Sequence, residues 1–115
     1  MIEIIIKEFL ESKLSVPVLM EVPKNPDTSF VIIEKTGSSF ENQIPSSIIT
    51  IQSYASTLYG AAELNEQVKK WMMDGINGLV SLDQIANVTL NSDYNYTDTS
   101  EKRYRYQAVF DITHY

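Results

Sequence analysis

Apolar residues at Ile2, Ile5, Ile6, Phe9 and Leu10 recur at the three- and four-residue intervals that place side chains on one side of a helix. Glu3, Lys7, Glu8 and Glu11 take the other side. Val16-Pro17 closes the pattern, because a residue before proline avoids the helical region. The spacing predicts a helix over 2–13. A short extended piece from Val18 to Val22 and a two-proline turn at Pro23-Lys24-Asn25-Pro26-Asp27 come next. Phe30 to Lys35 is β-branched and apolar, which predicts a strand over 29–36. The stretch 37–46 holds Gly37, Ser38, Ser39, Asn42 and Ser46 and reads as a loop, expected to be mobile until a partner orders it. Ser47 to Tyr54 is the next predicted strand.

Ser56 or Thr57 suits the cap of a helix over 57–74, with an apolar stripe of Ala61, Leu64, Val68, Trp71 and Met72. On that stripe Trp71 should be largely buried. Glu66 and Lys70 are spaced for an ion pair, and Gly75 and Gly78 end the helix. Strands over 85–94 and 102–113 form a terminal hairpin. On its second arm Tyr104, Tyr106, Ala108, Phe110 and Ile112 alternate with polar residues, a sustained period of two. On its first arm the same period puts Val88, Leu90, Ser92, Tyr94 and Tyr96 on one face. The order α-β-β-α-β-β predicts an α+β fold, with about four mostly antiparallel strands and two helices packed on one face.

A chain of 115 residues, 43% of them hydrophobic, suits one domain over 1–115. The absence of cysteine excludes disulfides and thiolate chemistry within it. No apolar run approaches the roughly 20 residues that a membrane-spanning helix needs. Glu3 stands where a secretory leader would carry basic residues, so export by that route is not expected. The sequons Asn87-Val88-Thr89 and Asn95-Tyr96-Thr97 then carry little meaning. A formal charge of −6 argues against phosphate neutralisation as a way of binding nucleic acid.

Candidate chemistry is sparse. The single histidine, His114, lies one residue from the end of the sequence, where little would position it for proton transfer. The carboxylates of helix 2–13 fall on its solvent side. Asp93-Tyr94-Asn95-Tyr96-Thr97 begins like a calcium loop, but Asp98 and Tyr104 stand where glycine and glutamate are required. Gly75-Ile76-Asn77-Gly78 has a nucleic-acid clamp's spacing without its basic residues, and reads as a helix stop. Lys69-Lys70 and Lys102-Arg103 read as solvated pairs. No catalytic, metal or cofactor residue is expected, and the chain is not expected to be an enzyme.

The aromatic residues point elsewhere. Of seven tyrosines, Tyr94, Tyr96, Tyr104 and Tyr106 lie in the terminal hairpin. Tyrosine buries a large area at small entropic loss and keeps a polar tip, so interfaces favour it. With Phe40 and Ile44 as anchors in the 37–46 stretch, these are the candidate interface residues. The alternative is that they stabilise the sheet through cross-strand pairing. Glu63, Glu66, Asp93 and Asp98 form the candidate acidic surface.

Three segments carry a family resemblance. The run Ile51 to Val68 (IQSYASTLYGAAELNEQV), followed by Asn91-Ser92-Asp93-Tyr94-Asn95-Tyr96 and by Arg103 to Asp111, resembles the tail terminator, or tail completion, proteins of long-tailed bacteriophages and prophages of Gram-positive bacteria. The order of elements is similar along nearly the whole chain. The resemblance implies an α+β subunit of a hexameric ring at the head-proximal end of the tail tube. Such a ring stops tube growth and meets the head connector or stopper. It implies a homo-oligomer in the virion neck, assembled in the host cytoplasm, with no enzymatic activity, cofactor, membrane or specific nucleic-acid binding. Two other readings stand beside it: a neighbouring neck component such as a stopper or adaptor, and a small ligand- or nucleic-acid-binding α+β domain.

Overall fold

In the computed structural model, which describes residues 2–21, 29–41, 44–74, 85–95 and 104–114, the chain runs α1 (Ile2–Lys13), β1 (Val18–Leu19), β2 (Phe30–Glu41), β3 (Ile44–Ala55), α2 (Leu58–Asp74), β4 (Ile85–Asn95) and β5 (Tyr104–His114). It is an α+β structure with a mixed five-stranded sheet in the order β1-β2-β3-β5-β4. The pairings β2–β3, β3–β5 and β4–β5 are antiparallel, whereas β1 lies parallel to β2.

The expectation of about four strands therefore misses one. Val18 is buried in the main core, and the carbonyl of Pro17 accepts a hydrogen bond from Val31 N at 2.9 Å. That bond converts the short extended piece into a strand two residues long. In the stretch 37–46, expected to be a loop, the described residues 37–41 and 44–46 are strand. β2 and β3 continue through it, with Ser38 opposite Ser47, Ser39 opposite Ser46 and Phe40 opposite Pro45. A register shift between Lys35 and Gly37 allows this continuation. Twelve residues at about 3.3 Å each make β2 nearly as long as the molecule's 44 Å principal axis.

Both helices serve one core. Along α1 the fully covered positions step by four (Ile6, Leu10, Leu14), and Leu14 N still donates to Leu10 O at 2.8 Å. Ala61, Leu64, Val68 and Met72 do the same for α2. Beneath them lie Val31 and Ile33 of β2, Ile49 and Ile51 of β3, Ala108, Phe110 and Ile112 of β5, and Val88 of β4. Trp71, expected to be largely buried, is only half-buried at the margin of this core. A second, smaller cluster of Phe30, Ile32 and Tyr54 occupies the other side of the sheet, with Leu19 against it.

Thr57 starts α2. Its hydroxyl accepts from Gly60 N at 3.0 Å, and its carbonyl accepts from Ala61 N at 3.0 Å. A Cβ on Gly60 would lie 3.0 Å from that hydroxyl and 3.2 Å from the Ala55 Cβ. Thr57→Ala is expected to cost about 1 kcal/mol in urea unfolding. Gly60→Ala, worth up to about 1 kcal/mol at an open helical position, should give no gain here. A Gly60→Ala protein more stable than the parent would contradict this packing. The helix stop at Gly75 and Gly78 lies outside the described residues.

Candidate functional site

Neither α1 nor α2 covers the other side of the sheet, where Phe30, Ile32 and Tyr54 are nonetheless buried, and a chain of side-chain bonds crosses it. Phe30 and Tyr54 stack with ring centroids 4.6 Å apart and planes 9° from parallel. Arg105 Nη1 donates to the Tyr54 hydroxyl at 2.8 Å, and the guanidinium lies 5.4 Å from that ring. Tyr54 OH donates to Gln52 Oε1 at 3.0 Å, and Gln52 Nε2 donates to Gln107 Oε1 at 3.1 Å. Gln107 Nε2 donates to Tyr94 OH at 2.5 Å. The chain thus passes from β2 through β3 and β5 to β4. Towards the far end of the strands the same side shows Ile48, which is exposed, and the bonded hydroxyls of Thr36 and Thr50 at 3.0 Å.

The candidate interface residues do not share one face. Register places Leu90 opposite Phe110, but Ser92 opposite Val109 and Asp93 opposite Ala108. This shift reverses the alternation, so Tyr94 joins the uncovered side, away from Val88 and Leu90. Tyr94 is exposed. Tyr104 and Tyr106 lie half-buried on the helix side, opposite Ala55 and Ser53. Phe40 and Ile44 fall at the closed end of the β2–β3 hairpin, where Glu41 pairs with Ile44. Tyr96 and Asp98 lie outside the described residues.

Asp93, turned to the helix side by the same shift, meets α2. Lys69 Nζ lies 2.7 Å from Asp93 Oδ2 and 2.6 Å from Glu66 Oε1. The hydrogen bond that Lys69 donates to Asp93, and then the one to Glu66, holds its ammonium above its usual pKa. Glu66 therefore pairs with Lys69 and not, as its spacing suggested, with Lys70. Asn65 Nδ2 also approaches Asp93 Oδ2, at 3.4 Å. Asn65 is buried, and its Oδ1 has no partner; buried Ser53 Oγ beneath α2 has none either. Two of the candidate acids, Glu66 and Asp93, are thus gathered around one cation. Glu63 stands apart, beside a shallow recess between α2 and the segment after α1.

Sequence reasoning missed the uncovered-side chain, because Gln52, Gln107 and Arg105 are common polar residues on strands. Their pairing follows from the β3–β5 register, where Gln52 faces Gln107 and Tyr54 faces Arg105. Among the described residues no group of three or more His, Cys, Asp or Glu converges as a metal site would require. None of the described helices is long and apolar enough to cross a membrane. No protein-family model matches the sequence, and neither does any curated protein.

Proposed function

We propose that this chain is a structural subunit of the tail-terminator kind, which assembles into a ring at the head-proximal end of a tail tube and meets the head connector. The observation that carries this reading is the side of the sheet that faces away from α1 and α2. Its side chains are already bonded to one another from Phe30 to Tyr94. Side chains ordered in advance lose less entropy when a partner docks. Tyr94 and Ile48 stand exposed on this side, and an exposed aromatic group held in place by its neighbours is a typical interface anchor. The acidic charge supports the same reading. Six copies at −6 each bring about −36 around a channel for DNA, which repels phosphates instead of gripping them. Glu63, Glu66 and Asp93 are candidates for that lining, with the latter two softened by Lys69.

The test is direct. Mixed with purified tail tubes, the protein should appear as a cap at one tube end in electron micrographs, and Tyr94→Arg should cap poorly. Labelled duplex titrated at moderate salt should show no binding. Bare tube ends, or tight duplex binding that falls steeply with salt, would overturn the reading.

A further inference from the structure

Glu63, Gln67 and Lys70 follow one another at successive turns of α2 and so share one side of it. That side borders the place where the end of α1 comes alongside. At the Glu63 end a recess of about 150 Å³ is lined by Ser15, Ser29, Glu63 and Gln67, a set rich in acceptor oxygens. At the other end Trp71 is half-buried, and the ammonium groups of Lys13 and Lys70 each lie 5.3 Å from its ring. Lys7 and Lys69 are paired with carboxylates, Lys7 with Glu11 and Lys69 with Glu66 and Asp93. Among the described residues Lys13, Lys70 and Glu63 form no such pair. One strip therefore carries an unpaired negative end and an unpaired positive end. Lys70 is seven positions after Glu63, about 10 Å along the helix.

We propose that two copies of this chain pair across this strip about a two-fold axis, with Lys13 and Lys70 of each copy reaching the Glu63 recess of the other. A two-fold contact is self-complementary: whatever one copy presents, the other presents in reverse. A strip with opposite charges at its two ends meets that condition with a second copy of itself. Two copies at −6 each repel at long range, so a contact between them needs a local patch of opposite sign. Lys13 and Lys70 around Trp71 supply it, and a half-buried tryptophan is a frequent centre of binding energy. The inference does not rest on the ring reading. Should both hold, the pair separates before the ring forms and frees Glu63 for the channel.

Sedimentation equilibrium at low salt tests it. The wild-type chain should dimerise, and high salt should weaken the dimer. Lys13→Glu with Lys70→Glu should raise the dimer Kd about tenfold or more. Adding Glu63→Lys to that variant should restore dimerisation, because the reversed strip is again complementary to itself. Circular dichroism checks that each variant is folded, and Lys13→Gln/Lys70→Gln with Glu63→Gln serves if a reversal unfolds the chain. A wild-type monomer at low salt, a reversed variant that dimerises as well as wild type, or a triple variant that stays monomeric would overturn the proposal. So would capture of duplex DNA by the same lysines in place of a second copy.

Discussion

Phe110→Ala should lower the unfolding free energy by about 3–5 kcal/mol, the loss expected for a phenylalanine removed from a closed core. Phe110 is 0% exposed and lies opposite both Ile49 on β3 and Leu90 on β4, beneath the two helices. Few residues here touch so many elements at once. The truncation removes the transfer free energy of the ring and leaves a cavity that two antiparallel neighbours cannot close by small movements. Typical domains have about 5–15 kcal/mol in total, so the variant would be marginal at room temperature. Urea unfolding followed by circular dichroism measures the loss. A cost below about 1 kcal/mol would mean that the helices do not seal this part of the sheet.

Asn65→Asp, a near-isosteric change, should cost about 3 kcal/mol at neutral pH. Asn65 is 1% exposed and its Nδ2 approaches Asp93 Oδ2. An aspartate there would place a buried carboxylate against another carboxylate, and both effects raise its pKa above the unfolded value. The sign follows. A group that holds its proton more tightly in the folded state favours folding at low pH, and the penalty grows as pH rises above its unfolded pKa. The variant should therefore be closest to wild type in mild acid and furthest from it at neutral pH. Urea midpoints across that range read the difference. A gap between variant and wild type that stays constant with pH would show that the introduced carboxyl finds water or a cation.

The helices were legible in the chain because their apolar spacing and caps are local. Ile6 and Leu10 lie under α1 as the spacing required, and Thr57 caps α2. Trp71 was harder. Its position fits the stripe, but a ring held between Lys13 and Lys70 needs no full burial. The period of two located both arms of the terminal hairpin, yet it could not foresee the register shift after Leu90 that sends Tyr94 to the other face. A one-residue shift leaves no mark in a polar run such as Asn91-Ser92-Asp93. The 37–46 stretch misled for a related reason. Serines and Gly37 favour loops in isolation, but here each arm of the hairpin supplies the other's backbone partners. Of the candidate site, the sequence singled out individual residues such as Tyr94 and Glu63. The bonded chain through Gln52 and Gln107 was not, since it depends on pairing between strands 55 residues apart.

The strand order also decides when the sheet can close during synthesis. β5, the furthest along the chain, lies between β3 and β4. As the nascent chain emerges, α1, β1, β2, β3 and α2 can gather first, but β3 then has one bare edge and the helices cover an unfinished floor. β4 can meet α2 on arriving next but finds no strand to pair with, because among the described residues its sheet neighbour is β5. Closure waits for the two arms to enter together, and Phe110 and Ile112 arrive with the second of them. A ribosome paused before Tyr104 would hold a chain with exposed apolar surface and an open strand edge. Such an intermediate is prone to pair with other chains. Speed of translation through the final strand thus bears on yield, independently of how stable the finished protein is.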